Sequence, residues 1–592
     1  MFSGLRIFTP PEFPVLSLDV QAHMPAVAAQ ERSQFHLLVR HFLERFFTNE
    51  MVSADGETKA RLLQIAYTIA LPGMVVALFL FPLYHAPLDR PFWSQVSDHY
   101  FYVMYSFVAV GAVSIFAWDL LFPDLLDLFI LSSLPIVNQR LFVARIVAAC
   151  LFLGLFLFGI NALGAIFYPL LSEPLGLARH IFAHVVAVLG SGAFAAAFFL
   201  SLQGMTVAIL GERLFRAVSP LLQCVATMVL LTILLLFPVS SQFLEVLTHS
   251  SAGQYFPPFW FLGIYERLVA GSSGLPVFTM LAKTGYLATA VAVALTIVSY
   301  PLAYRRRMRY IVEGSGASDT QNVAAAPINR MLHATLLRNP VQRGIYHFIS
   351  CGLLRTQRHR VYLAMYGGLG LALLIACVVL LKLIHGHFGL ALSPDGLRAA
   401  VPIAAFWAIA GLRTAFLSPM DKRGGWVFRV IMGKPGVEQL AATTLWILPC
   451  VLLLTLGMVA LISLVAPPEL HDWRSAMSQT FVAIGLCLLL TDALFLKVTS
   501  IPFTGERRAP ATNLAFILLQ YFGFFPPLVL LTVALEPWLE ASMWHVAGAV
   551  GCIGAAHLVM RRIRRKNADY YANLIDLDDD EEEFPQRLGL RY

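Results

Sequence analysis

The chain has 592 residues, of which 58% are hydrophobic and only 13% charged. Soluble domains carry about 25% charge, and a mean hydropathy of +0.72 excludes a globular protein dissolved in water. The formal charge of +7 gathers on one set of loops, which reads as orientation in a membrane and not as a surface for nucleic acid.

The Met1 end has no short apolar core followed by a small-residue cleavage site, so no cleaved signal peptide is expected. Within the first 62 residues, Phe35, Leu38, Val39, Phe42, Leu43, Phe46 and Phe47 recur at helical spacing, and His36, Arg40, His41, Glu44 and Arg45 fill the other face. A helix with one apolar and one basic face lies in the plane of a membrane surface. It is either a simple interfacial anchor or an elbow packed beside a partner.

A hydrocarbon core of roughly 30 Å needs about 20 mostly apolar residues per helix. Twelve stretches qualify: 63–84, 100–121, 142–169, 179–209, 218–245, 278–304, 361–385, 397–417, 437–466, 474–498, 513–536 and 540–561. The loops that follow odd-numbered spans are poor in Lys and Arg. Those that follow even-numbered spans are rich: Arg140 and Arg145, Arg213 and Arg216, ten arginines from Arg305 to Arg360, then Lys422, Arg423, Arg429 and Lys434, then Lys497, Arg507 and Arg508. The last span runs into Arg561, Arg562, Arg564, Arg565 and Lys566. Such alternation places both ends of the chain and the arginine-rich loops in the cytoplasm.

The expected fold is therefore all-α, a polytopic membrane bundle of about twelve helices arranged as two six-helix units, 63–304 and 361–561. Between them, 305–360 reads as a cytoplasmic linker carrying a second, looser amphipathic helix over Ile345 to Arg360, and 562–592 as a basic and then acidic tail, Asp576 to Glu583 being a solvated run of like charge. Gly211-Glu212-Arg213 and Gly505-Glu506-Arg507 occupy the same slot in each half, consistent with a duplicated unit or with chance in an arginine-rich chain.

The segment after the second span is unusual for an aqueous loop. It reads Asp124-Leu125-Leu126-Asp127-Leu128-Phe129-Ile130-Leu131-Ser132-Ser133-Leu134-Pro135-Ile136 and leads to Arg140-Leu141-Phe142-Val143-Ala144-Arg145. Apolar side chains there need lipid or a partner to pack on. A second cluster, Tyr255-Phe256-Pro257-Pro258-Phe259-Trp260-Phe261, lies between the fifth and sixth spans. Aromatic residues gather at membrane interfaces whatever the function, so this is either an interfacial belt or a gate.

Together with the surface helix before the first span, these two motifs resemble the type-two ABC exporter permeases, most closely over residues 30–310. The resemblance implies a coupling helix after the second span that docks on a P-loop ATPase subunit, with Asp124, Leu125, Asp127, Leu128, Phe129, Leu131, Pro135 and Arg140 as the docking residues. It also implies a short helical hairpin on the outer face, with Tyr255, Pro257, Pro258 and Trp260 as the gate. The family's unit is six spans, so this chain would be two units fused. The second half departs from the pattern: Ser418-Pro419-Met420-Asp421-Lys422-Arg423 lacks the Leu-rich turn, which puts docking by that half in doubt.

No Gly-x-x-x-x-Gly-Lys-Ser/Thr loop exists, so ATP would be hydrolysed by the partner, and no cofactor is expected in this chain. Neither a Gly-x-Ser-x-Gly elbow nor a zinc spacing occurs, His385 and His387 alone make no metal site, and no disulfide framework is expected from seven cysteines. A membrane enzyme would need polar catalytic groups converging at one depth, and the sequence singles out none. The alternative is an ion-coupled transporter of major-facilitator-like six-plus-six architecture. Ion coupling needs ionisable groups inside the bundle. In the sequence only His184 and His557 read as deep, with Asp492 and Arg413 at one end of their spans and Lys283 and Lys382 at the other. That scarcity favours a permease driven by a separate ATPase.

Overall fold

A computed structural model of the protein describes residues 34–46, 58–85, 90–118, 130–131, 134, 136–172, 176–271, 274–312, 337, 339–384, 387–418, 437–465, 472–496, 498, 501–504 and 514–578. The first half contains α1 (34–46), α2 (Thr58–Tyr84), α3 (Phe92–Phe116), α4 (Asn138–Ser172), α5 (Leu177–Leu235), the short helices α6 (Phe237–Gln242), α7 (Leu244–His249) and α8 (Ser251–Gln254), then α9 (Pro257–Ala270) and α10 (Pro276–Val312). The second contains α11 (Pro340–Arg355), α12 (Gln357–Val378), strands β1 (Val379–Ile384) and β2 (His387–Leu392), then α13 (Pro394–Leu417), α14 (Val437–Val465), α15 (Trp473–Leu494), α16 (Leu514–Ala541) and α17 (Met543–Asp578).

Eleven stretches of these helices are long and apolar enough to cross a membrane, two of them within α5, and α2 adds a shorter apolar stretch, Thr68–Tyr84. Large apolar side chains face outward all along the bundle, Trp544 being 85% exposed, whereas Ser106, Ser191, His184 and Gln203 are buried. Apolar outside and polar inside is the arrangement lipid selects, because no water is present to satisfy outward polar groups. The chain is a multi-pass membrane protein.

Each predicted span meets a helix, with corrections to three spans and to the second amphipathic segment. The fifth span, read over 218–245, ends at Leu235, and short helices follow it. The second span begins at Phe92 and not at 100, because Asp98 and His99, which read as loop residues, are buried helical positions. The seventh ends at Val378, and the apolar run beyond it forms an antiparallel hairpin, Val379 opposite Leu392 and Ile384 opposite His387. The second amphipathic segment, read over Ile345 to Arg360, breaks at Thr356: α11 ends at Arg355 and the remainder opens α12.

Between the arms Leu177–Gly211 and Leu214–Leu235, α5 kinks at Gly211. The backbone there has φ 74° and ψ 167°, a region only glycine enters readily. The matching Gly505-Glu506-Arg507 lies outside the described residues.

The halves share some packing. In each, the surface helix rests on the third span: Phe46 of α1 lies 5.4 Å from Phe152 of α4, ring to ring, and Trp446 of α14 donates from Nε1 to Ser350 Oγ of α11 at 2.9 Å. They differ at the first span. In the first half α2 packs on α4; in the second, α12 packs on α13 and also across to α5. That crossing between halves is close. A Cβ on Gly368 would stand 2.7 Å from the Cys224 carbonyl oxygen, so only glycine lets the two backbones approach.

Candidate functional site

Four span ends meet at the arginine-poor end of the first half: the last turns of α2 and α4 and the first turns of α3 and α5. The short helix α9 packs on α3, α5 and α10 and buries Phe259, Phe261, Leu262, Ile264, Tyr265 and Glu266.

Asp98, buried in the second turn of α3, takes both arms of Arg90: Nε to Oδ2 and Nη2 to Oδ1, each at 2.8 Å. The Tyr84 hydroxyl donates to Asp98 Oδ2 at 2.9 Å, and Tyr168 lies 3.0 Å away, hydroxyl to hydroxyl. With the Tyr84 proton so committed, Tyr168 donates to Tyr84. Burial works against the Arg90 cation, but its bond to Asp98 and their attraction outweigh it and hold its pKa above the ordinary arginine value.

The neighbouring residue reaches the other way. His99 Nδ1 lies 2.6 Å from Glu266 Oε1, with both side chains buried, and Tyr265 stacks on the His99 ring at 4.0 Å. The Tyr265 hydroxyl sits 3.1 Å from His180 Nε2 and 3.2 Å from His184 Nδ1. One hydroxyl proton serves only one of these histidines, so the other must donate to the oxygen. His180 and His184 stand four apart on α5 and therefore share one face. The result is two hydrogen-bonded groups, His99–Glu266 and Tyr265 with His180 and His184, joined by the stacked His99 and Tyr265 rings, which tie α9 to α3 and α5. It can hold α9 shut against the spans, and it can pass a proton between His99 and Glu266. It does not form a metal centre: no group of three His, Cys, Asp or Glu with that geometry occurs among the described residues.

Two smaller networks lie in the second half. Arg398, at the start of α13, stands 3.8 Å from Glu536 and 3.7 Å from Glu540 of α16. Asp492 of α15 bonds His557 of α17 at the opposite end. These networks overturn the reading that the bundle is almost free of ionisable groups. The predicted spans leave Asp98 and Glu266 in loops and Glu536 at a span end, and the fold buries each against a partner.

The sequence-predicted gate is only partly gathered here. Tyr255 is 81% exposed, Pro257 half-buried and Pro258 buried, and Trp260 donates from Nε1 to the Gln254 carbonyl at 2.7 Å. All four precede Tyr265 and Glu266, the residues of the same segment that enter the network. Of the predicted docking residues, Asp124, Leu125, Asp127, Leu128, Phe129 and Pro135 lie outside the described residues. Leu131 packs on the first-half core, Arg140 is half-buried, and Ile130 and Leu134 are 62% and 46% exposed. No protein-family model matches the chain, and neither curated proteins nor solved structures give a match.

Proposed function

We propose that the chain is the membrane-spanning permease subunit of an ATP-driven exporter. It works with a separate P-loop ATPase subunit in a bacterial cytoplasmic membrane, with both ends of the chain in the cytoplasm. The observation that carries this reading is the segment after the second span. Leu131 and Ile136 anchor it on the first-half core while Ile130, Leu134 and Val137 turn outward. An anchored segment presenting apolar side chains at the arginine-rich end has the form of a docking surface, and each side chain buried against a partner contributes about 1.5–3 kcal/mol. The surface helix α1 and the short helices α6 to α9 add support, occupying the positions such permeases use for an elbow and an outer hairpin.

The test is co-purification with a P-loop ATPase encoded in the same gene cluster. Ile130→Ser combined with Leu134→Ser should abolish association and ATP-driven transport while the protein still inserts and stays monodisperse. Unchanged association would make the segment an interfacial anchor and remove the main support for the exporter reading.

One observation favours the ion-coupled alternative: His99 and Glu266 form a buried, hydrogen-bonded titratable pair, the chemistry a carried proton needs. Under that reading the purified chain, reconstituted without any ATPase, dissipates an imposed pH gradient, and His99→Gln stops it.

A further inference from the structure

The spacing of basic residues on the last helix is not that of a simple membrane anchor. His557, Arg561, Arg564 and Arg565 lie at i, i+4, i+7 and i+8, one face of α17. All four line a single cavity of about 330 Å³ between α14, α15 and α17. Arginines that only mark the cytoplasmic side would point separately into water; these converge. Arg564 is held in place by donating from Nη1 to Thr444 Oγ1 at 2.9 Å, and its Nε is buried with no hydrogen-bond partner among the described residues.

Charge and shape narrow the occupant. The lining holds three arginines against one carboxylate, Asp492, and that carboxylate is already bonded to His557. The cavity is therefore cationic, and its one acidic group is engaged, so an anionic head group is favoured over one that brings its own amine. The remaining wall is apolar, with Leu445 and Leu448 from α14 and Leu488 from α15. No residue in the membrane-crossing stretch of α17 is fully buried inside the protein, and Leu558 and Val559 are 58% and 53% exposed, so the bilayer itself flanks the opening. Basic pockets between transmembrane helices bind anionic lipid head groups, and guanidinium groups bind phosphate through paired, charge-assisted hydrogen bonds.

We propose that this cavity is a binding site for an anionic phospholipid in the leaflet where α17 leaves the membrane. The phosphate meets Arg561, Arg564 and Arg565, and an acyl chain lies along the three leucines. The inference stands on the cavity alone and is independent of the exporter reading.

Native mass spectrometry of the full chain, delipidated in detergent and then offered lipid, tests it. Wild-type protein is expected to retain phosphatidylglycerol and not phosphatidylcholine. Arg561→Gln combined with Arg564→Gln should weaken retention by about tenfold or more, while Arg562→Gln, on a side chain that does not line the cavity, should leave it unchanged. A second variant, Leu448→Trp, fills the apolar wall with every arginine intact. It should also lose the lipid, so a failure of the double mutant to fold leaves the test in place. Equal retention of phosphatidylglycerol by wild type and Leu448→Trp would overturn the proposal. So would stabilisation of the wild type by millimolar inorganic phosphate without lipid retention, which would make it a site for the free anion.

Discussion

At the scale of single residues, the Arg90–Asp98 pair separates the value of a contact from the cost of breaking it. Both oxygens of Asp98 are engaged by Arg90. Asp98→Ala leaves a half-buried guanidinium without its counter-charge, with an expected loss of about 1–3 kcal/mol in an unfolding titration from mixed micelles. Arg90→Leu combined with Asp98→Leu should cost less than Asp98→Ala alone, since no charge is then left without its partner. A double variant less stable than the single one would show that the pair contributes net stability. The residues of this site were the least legible part of the sequence. His184 could be singled out because it lies deep inside a long apolar run. Asp98, His99 and Glu266 could not, because each sits near an element's end, where a charge ordinarily faces water. Only the fold, which packs α9 on α3 and α5, makes them interior.

Among the elements, legibility followed the length of the apolar run. Helices such as α4 and α14 declared themselves because nothing but a membrane span accommodates that many consecutive apolar residues. The β1–β2 hairpin is hidden for the same reason: its first strand continues the apolar run of α12 directly. Its one local signal is Gly386 between two apolar stretches. The kink in α5 was legible as a repeated tripeptide but not as a bend. Its conformation yields a direct test. Gly211→Ala should lower stability by about 1–3 kcal/mol, since φ 74° with ψ 167° is strained for any residue with a Cβ. Space is not the cause, because the nearest atom to that Cβ would be Arg306 Nη2 at 3.5 Å. Gly154→Ala, at a helical position with nothing within 4 Å, should be neutral or slightly stabilising. The comparison reads as a difference in thermal midpoint in detergent, and equal midpoints would refute strain at Gly211.

Across the whole molecule, the alternation of arginine along the chain has a spatial counterpart. The ends of α2 and α4 and the starts of α3 and α5 meet through Tyr84, Asp98, Tyr168 and His180. Phe142 near the start of α4 meets Tyr304 near the end of α10, with ring centroids 4.7 Å apart, and Arg306 bonds the Ala208 carbonyl close to Gly211. Loops read as arginine-poor and arginine-rich are thus sorted to opposite ends of the first half. Cationic side chains resist translocation, so the arginine-rich end should be cytoplasmic. A membrane-impermeant maleimide on intact cells decides the sidedness in a background with the seven native cysteines replaced. Tyr255→Cys, at a position 81% exposed between the fifth and sixth spans, should react in whole cells. Ser318→Cys, in the segment joining the halves, should react only after lysis. The reverse pattern would invert the molecule and place the apolar segment after the second span outside the cell. No ATPase could reach it there, and the exporter reading would fall with the topology.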